Sequence, residues 1–113
     1  MNIKELQKLV IDFRNDRDWK QFHNPKDIAT AISIEAGELQ EKFLWKSQAD
    51  SYEIGNNDVE VGEEIADIFN YLLLLSDACG VDLEQVFLNK IEKNNMKYSV
   101  EKSKGKSDKY TKL

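Results

Sequence analysis

Two acidic pairs are the part of this 113-residue sequence whose residue types and spacing could do chemistry. Glu35 and Glu38 are three residues apart, and Glu64 and Asp67 repeat that spacing after 25 intervening residues. On a helix, this spacing puts both carboxylates of a pair on one side of a single turn. Two such helices packed antiparallel could present all four carboxylates to one point. Hard divalent cations prefer oxygen ligands, so the pattern predicts a site for an ion such as Mg²⁺.

Glu35 is the most unusual of the four residues. It interrupts the apolar stripe of its predicted helix, and Glu38 lies at the edge of that stripe. A carboxylate that faces a core is costly unless it is paired, protonated or bound to a metal. A single acidic pair is more often a solvated helix face, and it is the repetition on consecutive helices that favours a site. The apolar members of the stripe are Ile28, Ile32, Leu39 and Phe43.

Apolar residues at helical spacing and capping signals predict an all-α chain of four helices. Asn24 and Pro25 mark the start of the second helix, Asp58 starts the third, and Gly80 ends it with a left-handed cap. Asp82 and Gln85 resemble a capping box at the start of the fourth helix. The predicted helices span residues 3–15, 25–45, 58–78 and 82–97.

The remaining segments are predicted to be irregular. Residues 47–57 are polar and contain Gly55-Asn56-Asn57, which favours a loop. Residues 98–113 are lysine-rich and poor in apolar residues, which predicts a flexible tail. The expected core face of the first helix is Leu6, Leu9, Val10 and Phe13, and that of the third is Val61, Ile65, Ile68, Phe69, Leu72 and Leu75.

Composition narrows the classes of function. The net charge of −5 argues against general binding to a nucleic-acid polymer, which needs a basic face. The single cysteine, Cys79, forms neither a disulfide framework nor a zinc cluster. No apolar run approaches the length of a membrane span, and the first residues lack a signal-peptide core, so we expect a cytoplasmic protein without a membrane partner. A chain this short buries only a thin core, which makes self-association plausible.

Several longer stretches, in order along the chain, carry a resemblance to a known family. They are RDWKQFHNP at residues 17–25, EAGEL at 35–39, FLW at 43–45, EEIAD at 63–67, Lys90 through Asn94 to Tyr98, and Lys109-Tyr110. With the two acidic pairs, the chain resembles the all-α nucleoside triphosphate pyrophosphohydrolases, the MazG-like group, and within it the dCTP pyrophosphatase branch. It departs from the family pattern at Ser99, where proline is common.

The resemblance implies a four-helix bundle assembled as a homo-oligomer, either a homodimer or a homotetramer. It divides the chain into a MazG-like domain, residues 1–98, and a C-terminal tail, residues 99–113. It also implies Mg²⁺-dependent cleavage of a nucleoside triphosphate to the monophosphate and pyrophosphate. The favoured substrate is dCTP or a modified dCTP, in a role of nucleotide-pool housekeeping.

Individual roles follow from the same resemblance. Glu35, Glu38, Glu64 and Asp67 would be the metal ligands, and Glu35 or Glu38 would act on the attacking water as the catalytic group. The substrate-binding residues would be Trp19, Trp45 and Tyr71 for the nucleoside, Lys90 and Asn94 for the phosphates, and His23 in a less defined role.

Three alternatives stay open at this point. The acidic pairs could be structural, in a non-catalytic helical module that binds nucleotides or supports an assembly. The same chemistry could act on dUTP, another pyrimidine nucleotide or a purine nucleotide. The chain could also be a helical partner of the antitoxin type.

Overall fold

Six α-helices and two short 3-10 turns make up the computed structural model, which describes residues 1–113 and contains no strand. This confirms the predicted all-α class. The helices are α1 Ile3–Asp16, α2 Pro25–Glu41, α3 Gln48–Asn57, α4 Val59–Ala78, α5 Leu83–Lys97 and α6 Val100–Ser103. The contacts divide the chain into two units, Met1–Val81 and Asp82–Leu113. The four-helix bundle and the boundary at residue 98 stay predictions.

Side-chain caps set where most of the helices begin. The capping oxygens, each of which accepts a backbone N–H of the first turn, belong to Asn2, Asn24, Ser47, Asp58 and Asp82. Such a bond satisfies one of the four N–H groups that a helix start leaves free. Gly80 follows α4 with φ of +66°, a conformation that costs glycine little. The predicted helix starts at Asn24, Asp58 and Asp82 and the predicted helix end at Gly80 are therefore confirmed.

The prediction of a loop at residues 47–57 is wrong, because α3 occupies that segment. Ser47 Oγ accepts the backbone N–H of Asp50 at 3.1 Å and starts the helix. The Asn57 amide donates to the carbonyl of Glu53 at 2.8 Å, one turn earlier. The Gly-Asn-Asn sequence forms the last turn of α3, and its low helix propensity is outweighed by the cap and by packing on α4.

The second predicted helix extends too far, because α2 ends at Glu41 and not at Trp45. Residues 42–46 continue with bonds over three residues, such as that from the Phe43 N–H to the Gln40 carbonyl at 3.0 Å. Trp45 then adopts φ of +62°, in the left-handed region that large side chains rarely enter. The chain therefore turns sharply here and leads into α3.

In the first unit, α1, α2 and α3 all pack on α4, most extensively α2. The most buried apolar side chains are Ile28 of α2 and Val61, Leu73 and Leu74 of α4. Of the predicted core face of α4, Val61 is buried, but Ile65, Phe69 and Leu72 are exposed. The reason is that the apolar face of α4 is wide, while its neighbours within the unit cover only part of it.

Polar contacts hold α1 against α4. Arg14 is 3% exposed, and its guanidinium pairs with Asp77 at 3.0 Å. The Gln7 amide donates to the Leu73 carbonyl and to Ser76 Oγ, both at 2.9 Å. Beside these contacts lies an apolar groove of about 530 Å³ that Leu6, Leu9, Val10, Phe13, Ala66, Asp67, Phe69, Asn70 and Leu73 line.

The second unit contains α5, α6 and a 3-10 turn, Tyr110–Lys112. The rings of Tyr98 and Tyr110 meet edge to face with centroids 5.9 Å apart. The Lys97 ammonium lies 4.9 Å from the centre of the Tyr110 ring. Aromatic contacts therefore organise the end of a segment that alone would be a flexible tail, and its assignment as a C-terminal tail stays a prediction. Throughout the chain, the helices fall short of the combination of length and hydropathy that crossing a bilayer requires.

Candidate metal centre

Three of the four predicted carboxylates meet between α2 and α4. One carboxylate oxygen from each of Glu35, Glu64 and Asp67 lies within 4.8 Å of the other two. Glu64 and Asp67 reach this point together because they are one turn apart on α4. Glu35 reaches it because it lies on the side of α2 that packs on α4. The tertiary structure thus brings both acidic pairs to one place.

The electrostatics of this cluster show that it lacks a positive partner. The Oε2 atoms of Glu35 and Glu64 are buried and have no hydrogen-bond partner. A hydrogen bond with Glu64 raises the pKa of Glu35 to about 7, and burial and the charges of Glu38 and Glu64 add to that rise. The two carboxyl groups can share such a bond only when one of them is protonated, and otherwise their buried Oε2 atoms have no partner. At higher pH both groups are ionised, and a bound cation would offset their mutual repulsion.

The donor set fits Mg²⁺. All the ligand atoms of the cluster are carboxylate oxygens, and neither His23 nor Cys79 belongs to it. Mg²⁺ binds few protein carboxylates and completes its coordination with water and substrate phosphates. Glu35, Glu64 and Asp67 are therefore the residues that would hold it.

Glu38 lies beside this cluster and outside its three-residue core. It lines a polar cleft of about 430 Å³ together with Glu41, Lys42 and Glu64. Its negative charge contributes to the raised pKa of Glu35, which places it close to the site. Its role as a fourth ligand or as the group that activates water stays a prediction.

Lys42 is a residue of this cleft that the sequence reasoning missed. Its ammonium pairs with Asp58 at 3.6 Å and with Glu60. The signal for it was present, because Lys42 follows Glu38 by four residues and so lies on the same side of the helix.

Trp19, predicted to bind the nucleoside, and His23, predicted to bind the substrate in a less defined role, lie together after α1. Their ring centroids are 6.3 Å apart, and Trp19 also meets Phe13 edge to face at 5.9 Å. Trp19 is 43% exposed, so part of its ring is open to a ligand. His23 Nδ1 is buried without a hydrogen-bond partner. These two side chains could therefore offer a stacking surface and a free polar atom.

The other predicted substrate residues belong to other elements of the chain. Trp45 is 93% exposed, and Tyr71 is half-buried on α4, one turn after Asp67. Lys90 and Asn94 are one turn apart on α5, which belongs to the second unit. The substrate-binding roles of all these residues stay predictions.

Comparison with known proteins places the chain in a class. The model of the MazG-like family matches residues 30–113. The chain is 36% identical over 114 residues to dCTP pyrophosphatase 1 of Rattus norvegicus and 34% identical to that of Homo sapiens, covering 98% of itself and 67% of each relative. A pyrophosphatase structure from Archaeoglobus fulgidus superposes with a TM-score of 0.80 at 40% identity, covering 85% of this chain and 91% of that one.

These proteins are similar to a chain whose fold is all-helical and whose carboxylate cluster lies between α2 and α4. The chain belongs to the MazG-like family, which confirms the resemblance found in the sequence.

Proposed function

We propose that this protein is a Mg²⁺-dependent nucleotide pyrophosphohydrolase that cleaves dCTP, or a modified dCTP, to the monophosphate and pyrophosphate. The observation that carries the proposal is the cluster of Glu35, Glu64 and Asp67, in which two buried oxygens lack a partner. It is supported by the similarity of nearly the whole chain to proteins named dCTP pyrophosphatase. The apolar groove and the exposed aromatic rings offer no comparable reason to expect another reaction.

The reaction adds one water molecule across the bond between the α- and β-phosphates. Bound Mg²⁺ would offset the charge of the triphosphate and lower the pKa of the attacking water. Glu38 or Glu35 would accept a proton from that water as its oxygen attacks the α-phosphorus. With a pKa near 7, Glu35 can hold or release a proton close to neutral pH. Pyrophosphate then leaves, and the oxygen of water remains on the monophosphate.

Recognition of the substrate would be divided between its two ends. Trp19 and Trp45 would stack on the base, which contributes about 1–3 kcal/mol per base but distinguishes bases poorly. His23 would supply a polar contact near the base, and Tyr71 would pack against the sugar. Lys90 and Asn94 would hold the leaving pyrophosphate through charge-assisted hydrogen bonds.

Self-association into a homodimer or homotetramer is part of the proposal. Ile65 and Leu72 of α4 are 54% and 40% exposed, and Leu9 and Phe13 of α1 are 54% and 51% exposed. These exposed apolar side chains on two helices are surface that self-association would remove from water. A cytoplasmic location agrees with a substrate from the nucleotide pool.

The test is release of pyrophosphate from a panel of nucleotides, with Mg²⁺ and with excess chelator. We expect the fastest turnover with dCTP or a 5-substituted dCTP and none in the chelator. Glu38→Gln and Asp67→Asn should abolish turnover while the helical circular dichroism remains. Normal turnover in either variant would contradict the assignment of the site. Faster turnover of dUTP or a purine nucleotide would instead replace the proposed substrate.

A binding experiment separates the enzyme from a non-catalytic module. Calorimetry with Mg²⁺ and a non-hydrolysable dCTP analogue should show binding to the wild-type protein. No binding, together with no turnover of any nucleotide, would favour an assembly module. Purification with a second, unrelated chain would favour a helical partner protein.

A further inference from the structure

Lys42 is a cation in a cleft that otherwise carries only carboxylates. The cleft is lined by Glu38, Glu41, Lys42 and Glu64, and two of these belong to the predicted metal site. The proposed mechanism makes no use of Lys42. Its place in the fold suggests what it does.

The ammonium of Lys42 joins the end of one ligand-bearing helix to the start of the other. Lys42 is the residue after α2, four residues beyond Glu38. Its partners are Asp58, which caps α4 by accepting the Glu60 N–H at 2.9 Å, and Glu60 itself. Glu60 is in turn four residues before Glu64. Lys42 and Glu60 therefore each lie about one helical turn from a carboxylate of the site, and Asp58 holds the start of the helix that carries Glu64.

Partial burial distinguishes this bridge from an ordinary surface ion pair. The side chains of Lys42 and Asp58 are 25% and 35% exposed, whereas that of the second partner, Glu60, is 67% exposed, so the partial burial belongs to the Lys42–Asp58 pair. By contrast, Lys8 pairs with Asp12 within α1, and its side chain is 75% exposed. Exposed pairs of that kind contribute little, because water and salt screen them. A partly desolvated pair between two helices is screened less and can fix their relative position.

We propose that Lys42 is a positioning residue that holds the end of α2 against the start of α4 and thereby raises the affinity of the carboxylate cluster for Mg²⁺. The inference rests on the proposed function, because it concerns the same site. Groups that orient metal ligands without touching the metal commonly govern affinity in this way.

The sign of the effect separates positioning from simple electrostatics. A lysine cation near a metal site repels a divalent ion, so its removal should tighten Mg²⁺ binding if charge alone mattered. Loss of a positioning bridge has the opposite result, because Glu38 and Glu64 would no longer be held opposite each other. A single measured dissociation constant therefore distinguishes the two.

The experiment titrates Mg²⁺ into the nucleotide-free protein by calorimetry. In Lys42→Met, we expect the dissociation constant to rise about tenfold, at the lower end of the range for groups that orient metal ligands. Lys42→Arg should stay close to wild type, because a guanidinium can bridge two carboxylates. Lys8→Met is the matched control and should bind as wild type does. Pyrophosphate release by Lys42→Met should approach the wild-type rate at saturating Mg²⁺.

Unchanged or tighter Mg²⁺ binding by a folded Lys42→Met variant overturns the inference. If that variant unfolds, the same measurement is made on Lys42→Gln. If both variants unfold, Lys42 has a stabilising role only, and the inference is overturned. A wild-type protein that neither binds Mg²⁺ nor releases pyrophosphate overturns the proposed function as well. If the wild type releases pyrophosphate and Lys42→Met binds Mg²⁺ as tightly as the wild type does, only the role of Lys42 is overturned.

Discussion

The two sides of α4 differ in whether their buried polar groups have partners. On the side of α1, Arg14 pairs with Asp77, and the Gln7 amide has two acceptors. On the side of α2, buried oxygens of Glu35 and Glu64 have no partner. A satisfied polar contact between helices stabilises the fold, whereas unpaired buried carboxylates destabilise it. The difference indicates that the first interface serves structure and the second serves a ligand.

Among the changes that test this difference between the two sides of α4, the largest expected effect comes from neutralising Glu35, the carboxylate with the raised pKa. Glu35→Gln should lower the rate of pyrophosphate release about 100-fold, as loss of a metal ligand or water-activating group does. In the absence of metal at pH 8, the same variant should have a higher melting temperature than the wild type, because a buried charge is removed. Enzyme assays and thermal unfolding measure the two changes. A Glu35→Gln variant that is less stable than the wild type would contradict the proposed difference between the two sides of α4.

Removing a partner on the structural side should have the reverse result. Asp77→Ala leaves the buried guanidinium of Arg14 unpaired and should lower the free energy of unfolding by about 3 kcal/mol. Urea unfolding measures this loss. Arg14→Met is the matched variant and should cost less, because Asp77 is 35% exposed and can be hydrated. The folded fraction of Asp77→Ala should keep the Mg²⁺ affinity of wild type, and a large drop there would contradict the division of roles.

The pH dependence follows from the raised pKa of Glu35, about 7 against an ordinary value of 4.5. Between these values the folded state without metal holds more protons than the unfolded state. Its stability therefore falls as the pH rises from about 4.5 to 7 and levels off above that, opposite to the usual behaviour of a paired carboxylate. Mg²⁺ competes with that proton, so its affinity should rise about tenfold between pH 6 and pH 8. Calorimetry at both values measures this, and Glu35→Gln should abolish the dependence.

The smallest expected effect concerns Gln7. Gln7→Ala removes the donor to the Leu73 carbonyl and to Ser76 Oγ and should destabilise the protein by about 1 kcal/mol. Ser76 Oγ also donates to the Leu73 carbonyl at 2.9 Å, so that carbonyl keeps a partner and the loss stays small. Urea unfolding should show the shift, with turnover unchanged. Altered turnover would mean that the α1 side also shapes the site.

Local signals in the sequence predicted those parts of the fold that depend on a few neighbouring residues. Caps such as Asn24 and Asp58 were correctly read because their hydrogen bonds reach only two or three residues. The loop prediction for residues 47–57 is wrong because the Ser47 cap and packing on α4 outweigh the low helix propensity of the Gly-Asn-Asn sequence. The exposure of Ile65 could not be read from the sequence, since periodicity shows that a face is apolar but not which element covers it.

The candidate site was predictable to a similar degree. Glu35 was identified from its place in an apolar stripe, and the structure brings it together with Glu64 and Asp67. The bridge from Lys42 was missed because its partners lie 16 and 18 residues further along the chain and meet it only through the packing of α2 on α4. Pairing across helices depends on their register, which no local pattern encodes.

The left-handed turn at Trp45 gives the molecule a built-in optical probe. Trp45 is 93% exposed, so its indole fluorescence reports contact with water. The only other tryptophan, Trp19, lies against Phe13 and His23 in a less polar setting. The two emissions therefore differ in wavelength and in access to a soluble quencher. A molecule that covers the turn would therefore change the fluorescence of Trp45, and no added label is needed to detect it.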